Sequence, residues 1–307
     1  MNRWCAQFLR AVVAFVPLVA GAWDHGGHML VDQIAWAQMK PAARERAAEL
    51  VKSLDPRFNE GQPYNFVTAG AWMDDMRALG RDYQWAKLHY IDIPWTENGV
   101  PQEIPEGPTV VSGIADSLKT LRDPQATPEQ RAEALGMLTH FVGDIHQPLH
   151  ATERNHDRGG NTYLIAGVPF SDLRTKQGRN LHTFWDKAFH FDGVDDKIVE
   201  TWFVPSVIER PKAPGEGVIA EQAKKIMAEF PQEKLPELAG PAEALAWAKE
   251  TYVVGCKSAY PAGDPPENIE VRELTPEFVH DARVIANRRI ALAGYRLGAL
   301  LNALLAP

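Results

Sequence analysis

Leu138-Thr-His140-Phe-Val-Gly-Asp144-Ile-His146-Gln-Pro-Leu-His150 is the stretch on which the reading of this chain turns. It closes a helix that the sequence predicts to open at Thr127-Pro128-Glu-Gln130, where a capping hydroxyl precedes a proline in the first turn. That helix is expected to run to about Gln147, because Pro148 ends or kinks it. His140 and Asp144 lie four apart and share one helix face. His150 follows beyond Pro148, where a bent chain returns it to the same cavity. Asn180-Leu-His182-Thr-Phe-Trp-Asp186 repeats a His/Asp pair at the same spacing. Such pairs let an imidazole nitrogen and a carboxylate oxygen bind one ion with little reorganisation. One pair alone reads as a surface hydrogen bond or a capped core histidine. Two pairs in helices dense with apolar residues bury more ionisable groups than a core tolerates without compensation. A bound metal compensates. Neither stretch contains Cys, so nitrogen and oxygen ligation points to zinc first and leaves manganese and iron open.

Outward from these motifs the chain reads as mainly α. Helices are expected over 28–40, 41–54, 65–79, 109–122, 179–190, 194–203, 216–229, 240–256 and 276–305. The second opens with Pro41, the third stops at Gly80, and the last begins at Thr275-Pro-Glu and is apolar on one face. Residues 161–170 are the best strand candidate, as a small β-hairpin. Residues 93–108 and 257–274 are Pro/Gly-rich connections. No internal repeat divides the chain, so residues 23–307 read as a single multi-helix domain.

The 307 residues carry a formal charge of −8, with 45% hydrophobic and 23% charged side chains. This is a globular composition, and it excludes a protein that coats nucleic acid with a basic surface. Two Cys, at positions 5 and 256, exclude a disulfide framework. Arg3 and Arg10, the apolar run from Ala11 to Ala20 and the ending Ala20-Gly-Ala22 have the layout of a secretory signal peptide. The run is too short to span a membrane, which takes about 20 residues. Cleavage after Ala22 would make Trp23 the first residue, and losing Arg3 and Arg10 would take the charge from −8 to −10. No Asn-x-Ser/Thr acceptor occurs, in keeping with export in a bacterium to the periplasm or the medium, with no stable membrane association.

Six motifs, in order over residues 23–190, resemble the zinc-dependent single-strand nucleases typified by mung bean nuclease. They are Trp23-Asp-His-Gly-Gly-His28, Trp72-Met-Asp74-Asp-Met-Arg77, His89-Tyr90-Ile91-Asp92, His140 through His150, Gly159-Gly160-Asn161, and Asn180 to Asp186. The resemblance implies a helical fold of the nuclease/phospholipase C type and three zinc ions per chain. One would be held by Asp74, His89, His140 and Asp144. A second would be held by the amine and carbonyl oxygen of Trp23, with His28 and a bridging Asp144. A third would be held by His150, His182 and Asp186. The same resemblance implies hydrolysis of single-stranded DNA and RNA to 5′-phosphates by metal-activated hydroxide, with 3′-nucleotidase activity on nucleotides. Three zinc ions and three Asp sum to about +3, enough to draw phosphate into an acidic chain.

Around that centre, Asp92 by its motif position orients or deprotonates the water; its alternative is a turn cap before Pro94. Arg77, one turn after Asp74, clamps a phosphate oxygen, or else is a solvated partner of a nearby acid. Tyr90 stacks on an unpaired base, or else is a core aromatic. His146 reads as a supporting residue and not a ligand, and Asp75 as a solvated helix residue. Two rival functions are a zinc phospholipase C and a non-catalytic metal-storage protein. The His five residues after Trp23 and Asp186 as last ligand, where the lipase pattern has a longer gap and a Glu, separate this chain from the first. Arg77 and Asp92 have no purpose in the second.

Overall fold

The computed structural model describes residues 23–59, 61–78, 80, 84–166, 180–189, 209–263 and 271–306. The expected signal peptide and the helix expected over 194–203 lie outside these residues. The helices are α1 (His25–Gln38), α2 (Pro41–Val51), α3 (Phe66–Ala69), α4 (Trp72–Ala78), α5 (Val110–Arg122), α6 (Pro128–Asp144), α7 (Leu181–Asp186), α8 (Gly217–Glu229), α9 (Ala244–Val254) and α10 (Pro276–Leu305). One continuous apolar cluster runs from Trp23 through Trp72, Phe141 and Trp185 to Leu301. Among the described residues no helix is long and apolar enough to cross a membrane.

Most helix starts follow the local chemistry of the sequence. Thr127 and Gln130 form a reciprocal capping box with Pro128 in the first turn, and the Thr275 side chain caps α10 one way only, accepting from Phe278 N ahead of Pro276. Two expectations need correction. The helix predicted over 65–79 is two helices, α3 and α4, broken at Gly70 and Ala71. Gly70 keeps right-handed helical angles, φ −61° and ψ −27°, but its carbonyl is taken by the ring of His140, 2.8 Å from Nδ1. The helix predicted to reach Gln147 ends at Asp144. Tight turns from His146 N to Gly143 O and from Gln147 N to Asp144 O take over before Pro148, which has no N–H to continue it.

The sheet content is small, and residues 167–170 of the expected hairpin lie outside the described residues. β1 (Ile93–Pro94) pairs in parallel with β2 (Thr152–Glu153), and β3 (Ile165–Ala166) with β4 (Arg272–Glu273). The chain does double back near the predicted strand, through an isolated antiparallel bridge between Leu164 and Asn180. After α9 a π-helical turn, Gly255–Ala259, packs behind residues 148–152. A Cβ on Gly255 would stand 2.0 Å from Thr152 Oγ1, so only glycine permits this approach.

The scaffold is set by α1 lying against the 30-residue α10. Gly294 and Gly298 face α1; a Cβ at Gly294 would lie 2.5 Å from Ile34 Cβ, and one at Gly298 would lie 2.9 Å from Gln38 Cβ. Gly294→Ala gains about 1 kcal/mol of helix propensity but overpacks the contact at a cost of about 1–3 kcal/mol. We expect a lower urea midpoint for this variant. An equal or higher midpoint would show that the two helices do not depend on this approach.

Candidate metal centre

Six pieces of backbone deliver the candidate ligands. The N-terminal turn of α1 carries His28, and Asp24 caps it by accepting from Gly26 N and Gly27 N. α4 carries Asp74, and a 3-10 turn over Ala86–His89 carries His89. The last turn of α6 carries His140 and Asp144. A second 3-10 turn, Pro148–His150, is started by the Gln147 side chain and carries His150. α7, capped by Asn180, presents His182 and Asp186 on one face. Trp23 precedes α1, with its indole Nε1 donating to Gly143 O at 2.9 Å. None of these nine residues is more than 9% exposed.

Asp144 is where four of the histidines converge. Its carboxylate oxygens lie 2.9 Å from His89 Nδ1, 3.3 Å from His140 Nε2, 3.5 Å from His28 Nε2 and 3.7 Å from His150 Nδ1. His140 Nε2 and His89 Nδ1 face each other at 3.2 Å. A second focus lies beside it: Asp186 is 3.7 Å from His182 Nε2 and 4.0 Å from His150 Nε2. Two triads, His28/His140/Asp144 and His150/His182/Asp186, each place their ligand atoms within 4.8 Å of one another. Asp74 stands 3.6 Å from Arg77, and its other oxygen has no hydrogen-bond partner among the described residues.

A second layer aims the first. Carbonyl oxygens only accept, so the ring nitrogens against them carry protons. His140 Nδ1 donates to Gly70 O at 2.8 Å, His150 Nδ1 to His89 O at 2.6 Å, and His182 Nδ1 to Gly159 O at 2.6 Å. Each bond fixes the tautomer and leaves Nε2 with a lone pair facing inward, as metal-ligating histidines require. Gln147 Nε2 donates to Asp186 Oδ1 at 2.7 Å. The Gly159-Gly160 pair has left-handed backbone angles, φ +61° and +79°, and a Cβ on Gly159 would strike Leu149 O at 2.4 Å. That close approach brings its carbonyl to His182.

Burial alone would discharge this cluster. It pushes the Asp144 and Asp186 carboxyls well up, and it pushes the His28 and His89 imidazoles well down and that of His140 down to about 4. Both ring nitrogens of His28 and one oxygen of Asp144 are buried without a hydrogen-bond partner among the described residues. Such orphaned donors and acceptors are costly in a dry interior. Imidazole lone pairs and carboxylates at these spacings, with no thiolate, are a donor set suited to zinc. The residues present fit the group.

The remaining candidates flank the centre. Arg77 reaches Asp74 and lies 3.1 Å from His89 Nε2, so it lines the ligands and is not a solvated side chain. Asp92 lies in the segment that crosses His150, with Ile91 N donating to His150 O at 2.8 Å and Ile93 N to Ala151 O. Its φ is +43°, a conformation that costs a non-glycine residue energy and is found at functional sites. Burial, then Glu153 and Asp157, raise its carboxyl to about 7. Tyr90 is half-buried and stands outside the apolar cluster. His146 points away from the ligands. Its Nδ1 donates to Val142 O, its Nε2 accepts from Arg296, and its carbonyl accepts from buried Arg289. This bracing holds the turn between Asp144 and His150.

Asp75 requires a correction: it is 7% exposed and not a solvated residue. It binds His25, Tyr64 and Arg210. The spacing of these partners in sequence gave no sign of it. Sequence reasoning also missed Gln147 as the partner of Asp186, although it stands inside the quoted motif, and Asp32. Asp32 lies four residues after His28, fully buried, and a Cβ on Gly70 would meet its Oδ2 at 2.6 Å.

The S1/P1 Nuclease family profile matches residues 23–306. Among similar curated proteins, Endonuclease 2 of Arabidopsis thaliana is 28% identical, over 91% of this chain and 89% of its own length. Endonuclease 4 of the same plant is 24% identical, over 98% and 96%. Nuclease P1 of Penicillium citrinum is 24% identical, over 91% and 97%. With a family match over nearly the whole chain and a buried His/Asp centre of this form, the protein belongs to the S1/P1 nuclease family.

Proposed function

We propose that the chain is an exported zinc hydrolase that cleaves phosphodiester bonds in single-stranded DNA and RNA, leaves 5′-phosphates, and acts as a 3′-nucleotidase at the same site. The observation that carries this reading is the convergence of four imidazoles on buried Asp144, next to the His150/His182/Asp186 triad. That the similar proteins are nucleases and endonucleases supports the substrate class.

In this reading three ions are held by Asp74, His89, His140 and Asp144; by Trp23, His28 and Asp144; and by His150, His182 and Asp186. Trp23 contributes its amine, which exists only once residues 1–22 have been removed. Bound zinc supplies Lewis acidity toward the phosphodiester and brings the pKa of a water near neutrality. Arg77 holds a phosphate oxygen through its guanidinium and is itself oriented by Asp74. Asp92, strained and partly buried beside His150, accepts the proton of the attacking water through its carboxylate. Tyr90 offers a half-buried ring to a base, a contact open to an unpaired strand and closed to a duplex. Phosphate is drawn in by the centre and not by the surface, so an acidic chain serves a polyanionic substrate.

Elemental analysis of the mature protein should find three zinc per chain. Chelation should abolish cleavage of single-stranded oligonucleotides and lower Tm by about 10 °C, the effect of withdrawing roughly 4 kcal/mol of ligand stabilisation. A chelated protein with unchanged Tm and activity removes zinc from the reading. Asp92→Asn should keep its zinc and lose about 10²-fold or more in kcat; near-normal kcat with full zinc would take the proton from some other group. A chain carrying one extra residue before Trp23 should bind one zinc fewer and cleave poorly. Full zinc and full activity there would refute the amine as a ligand. Phosphatidylcholine, assayed beside the oligonucleotides, should be left intact.

A further inference from the structure

His140, His150 and His182 are each aimed by a hydrogen bond to a carbonyl, but His28 has none among the described residues. Its ring is stacked on His140, with centroids 3.8 Å apart, and is otherwise placed by where α1 begins. α1 begins at His25, and His25 Nε2 lies 3.1 Å from Asp75 Oδ1. Asp75 directly follows Asp74 on α4. Successive helix positions diverge by about 100°, so one carboxylate serves the centre and the other faces α1.

Asp75 is saturated. Arg210 grips it with both terminal nitrogens, at 2.5 and 2.8 Å, and the Tyr64 hydroxyl donates to it at 2.7 Å. Arg210 also donates to Asn59 Oδ1 at 2.7 Å, and Asn65 Nδ2 donates to Pro211 O at 2.7 Å. Four stretches of chain, around residues 25, 59–65, 75 and 209–211, are tied together at this carboxylate. α4 has only seven residues, too few to hold a helix by its own hydrogen bonds. It needs an external anchor, and a bidentate Arg–carboxylate pair is a directional one.

We propose that the Arg210–Asp75–His25 cluster is a positioning device for one half of the metal centre, holding the first turn of α1 against α4 so that Trp23, His28 and Asp74 stay arranged around Asp144 and retain the ions there. This rests on the zinc reading above. No residue of the cluster touches an ion; His25, Asp75 and Arg210 act through the helices that carry the ligands.

The test follows zinc release from the zinc-loaded full-length mature protein to a chromophoric chelator, with zinc content and Tm measured alongside. His25→Leu and Asp75→Asn should release part of the zinc about 10-fold faster, the size expected for loss of an outer-shell support, while the remainder leaves at the wild-type rate. His25→Gln, which keeps an N–H donor toward Asp75, should restore slow release. Glu237→Gln breaks the Arg288–Glu237 pair, which touches no ligand, and should not change the profile. Wild-type release in both His25→Leu and Asp75→Asn overturns the proposal. So does equal acceleration by Glu237→Gln, since loss would then follow general stability. If Asp75→Asn does not fold, the contrast between the Leu and Gln variants at His25 decides. A wild-type protein that holds no zinc instead overturns the metal reading itself, and this inference falls with it.

Discussion

The carboxylate of Asp144 is the constraint around which the molecule is arranged. It is fully buried and has four imidazoles within 3.7 Å. A protein interior does not stabilise such a group of charges unaided; burial drives the acids to protonate and the histidines to deprotonate. Cations at the same point reverse that preference and make every one of these groups a favourable neighbour. The surroundings serve this arrangement. Carbonyls of Gly70, His89 and Gly159 set the tautomers, Gln147 orients Asp186, and Gly159 exists as glycine because the chain must pass Leu149 at contact distance.

The supports are unequal around the centre. The His150/His182/Asp186 side is fixed by local turns and by hydrogen bonds from the loops beside it, with the π-helical turn at Gly255 packed behind. Trp185, next to Asp186, donates to Ala259 in that turn. Among the described residues the Trp23/His28/Asp74 side has fewer such hydrogen bonds, and the start of α1 is joined to α4 through Asp75. The turn between Asp144 and His150 links the halves, and Arg289 and Arg296 grip it from α10. That helix is therefore part of the site's support although it carries no ligand.

A net charge of −8 ordinarily argues against a polyanionic substrate, because nucleic-acid affinity is mostly phosphate neutralisation by Lys and Arg. Membership of the S1/P1 nuclease family shows that this composition is compatible with such chemistry. The formal charge belongs to the whole chain, whereas the candidate centre is a buried cluster of histidines and aspartates.

Much of this was legible in the chain. Helical spacing put His140 with Asp144 and His182 with Asp186, because i,i+4 geometry is local. Capping residues located the starts of α6 and α10 for the same reason. The ordered motifs named the family. Local rules failed where a distant partner took over a backbone group. The Gly70 carbonyl broke a predicted helix because it is bound to His140, and Asp75 looked solvated because Arg210, Tyr64 and His25 come from three other stretches of chain. The sequence by itself determined which residues are candidates for the chemistry and which pairs share a helix turn, since those depend on residue type and on spacing along one element. Only the tertiary structure decided that the two pairs form neighbouring foci, at Asp144 and at Asp186, which nitrogen of each ring faces inward, and which unremarkable residues hold them there. Those outcomes depend on contacts between segments as far apart as 150 residues, from His146 to Arg296.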